Sequence, residues 1–210
     1  MNTTTPRLEP AIKEHLAPEL RADQVSGSGR TYRRVLGGWL QVVNVQGSRY
    51  GGSFAINLAV HPLTSPDVRG NEPDPKKITE ELCEFRRRLS ETEDRSDAWW
   101  KHDNTAESMS TAMRSAATTY IQFGRPLLSK VTAETADLNI ACAKDLALRS
   151  FNFGGFGSTE TRMALALARL RESQGKTKEA REFAECGLST VGNATIIRNE
   201  LQAVIARDAA

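Results

Sequence analysis

The run Arg30-Thr31-Tyr32-Arg33-Arg34-Val35-Leu36-Gly37-Gly38-Trp39-Leu40-Gln41-Val42-Val43-Asn44-Val45-Gln46 decides the fold. Two segments rich in β-branched and aromatic residues flank a glycine pair. A two-residue link with positive φ at both positions joins antiparallel strands most tightly, and glycine meets that demand without steric cost. A turn at Gly37-Gly38 fixes the register. Leu36 faces Trp39, Arg34 faces Gln41 and Tyr32 faces Val43 on one side; Val35 faces Leu40, Arg33 faces Val42 and Thr31 faces Asn44 on the other. A third strand from Ser53 to His61 alternates more cleanly, with Phe54, Ile56, Leu58 and Val60 to one side and Ser53, Ala55, Asn57 and His61 to the other. The predicted sheet has one apolar face and one mixed polar face. Asn44, Gln46 and Asn57 sit on the polar face, although Leu40 and Val42 share that side.

Residues 24 to 66 contain no acidic residue, while Arg30, Arg33, Arg34 and Arg49 all lie there. Arg33 and Arg34 are adjacent in one strand and therefore point to opposite faces, so one of them lies on the more apolar side. A buried guanidinium needs hydrogen-bonded partners, because its desolvation costs several kcal/mol. Gln41, opposite Arg34, supplies a carbonyl acceptor without charge. A carboxylate from a distant segment would complete an internal pair that pins a helix to the sheet. An acidic protein surface, a nucleotide or a small anion would do so from outside. On the first reading Arg34 is internal, while Arg33 and Arg49 reach solvent on the binding face. Asn44, Gln46 and Asn57 donate and accept without titrating, which suits recognition better than acid–base chemistry. The candidate binding set is thus Arg33, Arg34, Asn44, Gln46, Arg49 and Asn57.

Outward from the sheet, Leu8 to Asp23 reads as a helix with Leu8, Ile12, Leu16 and Leu20 on one face, ended or kinked by Pro18 near Ala17. Ser26-Gly27-Ser28-Gly29 reads as a flexible connector and Pro62 to Pro75 as a loop. Lys76 to Leu89 fits either a charged helix or an edge strand, since Cys83, Phe85, Arg87 and Leu89 alternate. Trp99-Trp100 suits a short strand. Asp103 or Asn104 can cap a helix reaching about Phe123, with Met109, Met113, Ala116, Ala117 and Tyr120 inward, and Gly124-Arg125-Pro126 ends it. Beyond Lys130 the pattern is helical: Thr135 to Arg149, Ser158 to Gln174, Thr177 to Val191 and Ala194 to Asp208. The fold class is α+β, an antiparallel sheet packed with helices over residues 1–130 and a helical region over 131–210. The irregular stretch Phe151-Asn152-Phe153-Gly154-Gly155-Phe156-Gly157 is a loop whose rings plug the joint between the regions, or one that binds a ligand.

Composition frames the function. The chain has 210 residues, 39% hydrophobic and 26% charged, with a net charge of +2. That fits a soluble globular protein, and only a local argument about anionic partners is available. No apolar run approaches the ~18 residues of a membrane span, and the start Met1-Asn2-Thr3-Thr4-Thr5-Pro6 is not a secretory leader. Cys83, Cys142 and Cys186 are odd in number and scattered, as in a reducing cytoplasm. His15, His61 and His102 lack ligand spacing, so no metal site is expected. No cofactor motif and no catalytic constellation emerges. Gly154-Gly155-Phe156-Gly157-Ser158 lacks the strand and lysine of a phosphate loop, and His102-Asp103 is not tied to Cys83 by spacing. Arg86-Arg87-Arg88 is balanced by Glu80, Glu81, Glu84 and Glu91, a solvated surface.

Tyr32 and Arg34, the Val43-Asn44-Val45-Gln46-Gly47-Ser48 run, Phe54-Ala55-Ile56-Asn57-Leu58, Arg87-Arg88-Leu89 and Trp99-Trp100 occur in that order. Together they resemble the bacterial family catalogued as domain of unknown function 4304, over about Leu8 to Leu128. The resemblance implies an α+β domain with an antiparallel sheet, and strands at Cys83–Leu89 and near Trp99. It implies no established activity. Such families are often similar to small cytoplasmic immunity proteins that accompany bacterial toxins. Where the family tends to carry an aromatic before the first strand, this chain has Val25. Ala164, Leu167, Ala168, Gly175, Ala180 and Gly187-Leu188 resemble a single tetratricopeptide hairpin, a helical packing unit rather than an array. The expected function is a cytoplasmic binding protein for another, acidic, protein, of protein-interaction or toxin-immunity type. The alternative is nucleotide or nucleic-acid binding through the acid-free strands.

Overall fold

The computed structural model describes residues 7–91, 98–150 and 153–208. Gly37 and Gly38 have φ of 57° and 79°, and the hairpin they close has the register that a turn there dictates. It joins β2 (Thr31–Leu36) to β3 (Trp39–Gly47), which pairs along its whole length with β4 (Ser53–Pro62). Ser26-Gly27-Ser28-Gly29 is not a connector. Ser26–Ser28 form β1, an exposed edge strand on β2, reached through a turn in which Gly29 has φ 62°. Gly27 passes so close to β2 that a Cβ would lie 2.3 Å from the Thr31 carbonyl oxygen, so a side chain there is excluded.

Beyond β4 lie β5 (Phe85–Arg88) and β6 (Trp100–Lys101), giving a six-stranded antiparallel sheet of order β1-β2-β3-β4-β5, with β6 also beside β4. The alternation of Phe85 and Arg87 thus marks a strand, and the only helical turn in this segment is Glu80–Leu82.

Two broken helices cover one sheet face. The first comprises α1 (Glu9–Ala11), a π turn at Ile12–Leu16 and α2 (Ala17–Ala22). The second comprises α3 (Ala106–Thr119), a π turn at Tyr120–Gly124 and α4 (Arg125–Val131). Neither Pro18 nor Gly124-Arg125-Pro126 ends its helix. Proline lacks an N–H and crowds the carbonyl four residues back; a π turn just before it widens the ladder there and lets the helix continue. The cap of α3 is Thr105, whose side chain accepts from the Ser108 N–H; Asp103 instead accepts from Thr105.

After α4 come α5 (Asp137–Ile140), α6 (Ala143–Leu148), α7 (Glu160–Ser173), α8 (Thr177–Thr190) and α9 (Thr195–Asp208). Extended backbone at Ala141 and Cys142 breaks what reads in sequence as one helix. The fully buried Arg171 of α7 holds that break, donating to the carbonyls of Leu138 and Ala141 at 3.2 and 2.8 Å. Helices α7 and α8 approach closely where Gly187 faces Ala164, since a Cβ on Gly187 would be 2.9 Å from that of Ala164.

Tyr32, Val43, Ile56, Leu58 and Phe85 of the sheet, Leu16 and Met113 of the covering helices, and Leu167, Phe183 and Leu201 of the later helices belong to one continuous buried cluster. Phe153 and Phe156 are buried in it, with the Phe153 and Phe85 rings edge-on at 6.0 Å; Phe151 lies outside the described residues. Among the described residues no helix is long and apolar enough to cross a membrane.

Candidate functional site

The sheet face turned away from α1–α4 divides into two halves. Over one half, the segment from Leu63 to Glu84 packs Leu63, Ile78, Leu82 and Cys83 onto Leu40, Val42 and Ala59, a second and smaller buried cluster. Arg33 fastens this segment. Its Nε donates to the Ile78 carbonyl at 2.5 Å and its Nη2 to that of Lys77 at 3.2 Å. Burial lowers the pKa of this guanidinium, and no carboxylate pairs with it directly among the described contacts.

The other half is open and neutral. Asn57 Nδ2 donates to Gln46 Oε1 at 3.0 Å and to Asn44 Oδ1 at 3.4 Å, and Asn44 Nδ2 donates to Thr31 Oγ1 at 3.0 Å. The ladder follows from the register, which sets Thr31 opposite Asn44 and Asn44 opposite Asn57. Gln46 is exposed, and Thr31, Asn44 and Asn57 are half-buried. Glu80 borders the ladder. Burial at the rim of the covering segment pushes its carboxyl up, against a hydrogen bond from Asn57 that lowers it.

Cations and aromatic rings flank the amides. Arg88 pairs with Asn57 across β5 and β4, and its guanidinium lies 4.5 Å from the Trp99 ring centroid. Lys101 is exposed opposite Ser53. At the β3–β4 loop, Arg49 lies 4.6 Å over the ring of Tyr50, donates to its hydroxyl, and Tyr50 is 82% exposed. Gly51 and Gly52, with φ of 75° and 69°, shape this tip.

Of the residues singled out in sequence, Asn44, Gln46 and Asn57 come together in direct hydrogen-bond contact. Arg49 stands at the end of the same two strands. Arg33 shares the face, but its role is to hold the covering segment rather than to reach freely into solvent. Arg34 is on the opposite face, where Nε donates to Gln41 Oε1 at 2.8 Å and Nη1 to the Asp23 carbonyl at 2.6 Å. Arg34 therefore makes no Arg–Glu pair; in the acid-free stretch it is Arg30 that ties a helix to the sheet region in this way, its Nε donating to Glu9 Oε1 of α1 at 2.9 Å. For Arg34 the amide and a helix-end carbonyl replace the carboxylate, and Gln41 passes the link on to Thr132 Oγ1 at 2.8 Å and the Leu128 carbonyl at 3.2 Å. The Asp23 carboxylate is used instead by Arg125 at 2.7 Å and by the Tyr120 hydroxyl at 2.9 Å.

Thr31, Tyr50, Glu80, Arg88, Trp99 and Lys101 join the site without having been named as binding residues. Arg86-Arg87-Arg88 with its acids is not wholly a solvated surface, since Arg87 and Glu84 are buried and Arg87 Nη2 donates to Ser90 Oγ at 2.7 Å. The pairing of Arg88 with Asn57 depends on where β5 docks, which no local pattern encodes. No acid–base or nucleophilic group stands in the ladder. Cys83 is fully buried and its thiol is pushed far up by burial, which suppresses the thiolate. His102 instead stacks on Phe54, with ring centroids 6.3 Å apart. The arrangement can orient hydrogen bonds and attract anionic groups at its rim, and Glu80, its carboxyl raised by burial, is the titratable group beside the amides.

A family model described as Domain of unknown function (DUF4304) matches residues 16–130, over half of the chain and the part that carries the whole sheet. No curated protein and no solved structure matches the chain.

Proposed function

The chain belongs to the DUF4304 family, and we propose that it is a binding protein whose open amide half docks another protein. The observation that carries this reading is the hydrogen-bonded ladder Thr31–Asn44–Asn57–Gln46, left half-exposed on a face whose other half is covered. Tyr, Trp and Arg are the residue types most enriched at protein interfaces, and Arg49–Tyr50 and Arg88–Trp99 bring them to the rim. Amides preset by one another lose little freedom on binding and fix orientation without the cost of burying charge. Arg49 and Lys101 favour a partner that is acidic around its own docking patch.

The finer part of the proposal is a bacterial, cytoplasmic, toxin-immunity-type module. It is supported by the resemblance of the sheet region and by three cysteines that are all unpaired. The α7–α8 hairpin, tetratricopeptide-like in its small-residue contact, offers a second packing surface. An alternative is nucleic-acid binding, favoured by one observation: the highly exposed Tyr50 ring beside Arg49 and near Lys101 could stack a base.

Affinity capture on the immobilised protein separates the two. The protein reading predicts a partner that is retained after nuclease treatment and only moderately weakened by rising salt. Nucleic acid in the eluate, lost steeply as salt rises, would favour the alternative.

A further inference from the structure

His61 is fully buried in β4 and joins both ends of the covering segment. Its Nε2 lies 2.9 Å from the Ser65 carbonyl at the near end, and its Nδ1 lies 3.3 Å from the Glu84 N–H at the far end. A carbonyl can only accept and an N–H can only donate, so the ring is neutral with its hydrogen on Nε2. Between these points the segment is organised as a unit. Asp67 accepts from the Arg69 and Asn71 N–H groups at 2.8 and 3.0 Å, and the Val68 N–H donates to the Leu82 carbonyl at 3.1 Å. Arg33 is a further polar fastening to the sheet. With it come Arg86 Nη1 donating to the Glu81 carbonyl at 3.4 Å, the Leu63 N–H donating to the Gly38 carbonyl at 2.8 Å and the Asn57–Glu80 hydrogen bond. The rest is the small apolar cluster over Leu40, Val42 and Ala59.

We propose that residues 63–84 form an acid-released cover over the outer sheet face, with His61 as the group that receives the proton. A protonated ring carries hydrogen on both nitrogens. Nδ1–H would then confront the Glu84 N–H, replacing the far-end hydrogen bond by two opposed donors. The groups facing His61 are Asp67 from the cover, Glu84 ahead of β5 and Arg169 from α7. Burial depresses the imidazole pKa first, Arg169 adds to this, and the Ser65 contact and Asp67 oppose it. A histidine with a depressed folded pKa holds its contribution in full above its free value of about 6.5, and loses it as pH falls below that. Glu84 works in the other direction. Its carboxylate pairs with Arg162 at 3.0 Å and approaches Arg169 at 3.9 Å, yet burial wins and raises its pKa, so protonating it does not by itself loosen the cover. Release would uncover Val42 and Ala59, free Arg33 from its carbonyls and withdraw Glu80 from Asn57. The open half would thereby grow at the expense of the covered one.

Cys83, fully buried on the inner side of the cover, is the reporter, and the exposed Cys142 is the internal control. The full chain is labelled with 4,4′-dithiodipyridine across a pH series, with each site quantified by mass spectrometry. The expected Cys83-to-Cys142 rate ratio is constant above neutrality and rises by up to about tenfold per pH unit below about pH 6.5, the slope of one proton. The helical circular dichroism should stay unchanged. In His61→Gln the amide can accept from Glu84 and donate to Ser65 without titrating, so the ratio should be flat. A wild-type ratio that ignores pH, or a His61→Gln variant with the same step, overturns the proposal. If that variant does not fold, amide exchange of the wild type decides. Protection corrected for intrinsic rate must fall with acid at Val68 and Glu84 while the β3–β4 amides hold. Loss at all of them together, or at none, overturns it. Neither readout uses a binding partner, so this proposal and the docking reading fail independently.

Discussion

The two halves of the outer sheet face differ in what lies over them rather than in how their strands alternate. Leu40, Val42 and Ala59 on one half, and Asn44, Gln46 and Asn57 on the other, belong to the same two strands and point the same way. The first group is core because the segment that follows β4 folds back to cover it, fastened by Arg33 and His61 among other contacts. The second remains half-exposed because its amides satisfy one another and do not need a cover. A binding surface here is thus the part of a β face that the chain has left uncovered, and Glu80 beside Asn57 marks its edge.

The largest effect should come from removing what both halves rest on. Stopping the chain after Lys130 strips Phe153 and Phe156 from Phe85 and takes Arg162 away from the buried Glu84. Breaking a buried charge pair alone costs about 3–5 kcal/mol. Chemical denaturation should therefore show a large loss of stability, and an unchanged midpoint would mean that residues 1–130 have a core of their own. Next is Leu40→Ala on the covered half, which should cost about 2–5 kcal/mol as a cavity-forming change. A cost below ~1 kcal/mol would mean that the cover adds little.

The neighbouring arginines sharpen the contrast between the two faces. Arg34→Met leaves the buried Gln41 carbonyl and the Asp23 carbonyl without a donor, for about 1–3 kcal/mol. Arg33→Met should cost less, because one of its two partners, the Lys77 carbonyl, is exposed where water can replace the guanidinium, and only Ile78 is buried. Equal costs would remove the distinction. Smallest of all, Gln46→Ala on the open half should stay within ~0.5 kcal/mol of wild type.

The hairpin and its register were legible in the sequence because a Gly-Gly turn determines every β2–β3 pair, and the shared face of Asn44, Gln46 and Asn57 was legible from the alternation of β3 and β4. The residues left helix and strand open for Lys76 to Leu89 and suggested a short strand at Trp99-Trp100. The family resemblance favoured strands at Cys83–Leu89 and near Trp99, and they lie at Phe85–Arg88 and Trp100–Lys101. Local signals failed where a long-range contact decides the outcome. Alternation puts Arg33 and Arg34 on opposite faces but does not name their partners, the segment at Lys77–Ile78 for one and the helix end at Asp23 for the other. Pro18 and Pro126 read as helix stops because a π turn leaves no sequence mark of its own. Arg88 and Trp99 entered the site through the docking of β5, which depends on the whole sheet.

The central claim is that the open half binds and the covered half only folds. Its most direct test is the double variant Arg49→Glu/Asn57→Arg, compared with wild type by denaturation and by capture of the partner that wild type retains. The account predicts a denaturation midpoint close to wild type and loss of that partner. A well-folded double variant that still retains the partner at full strength would contradict it.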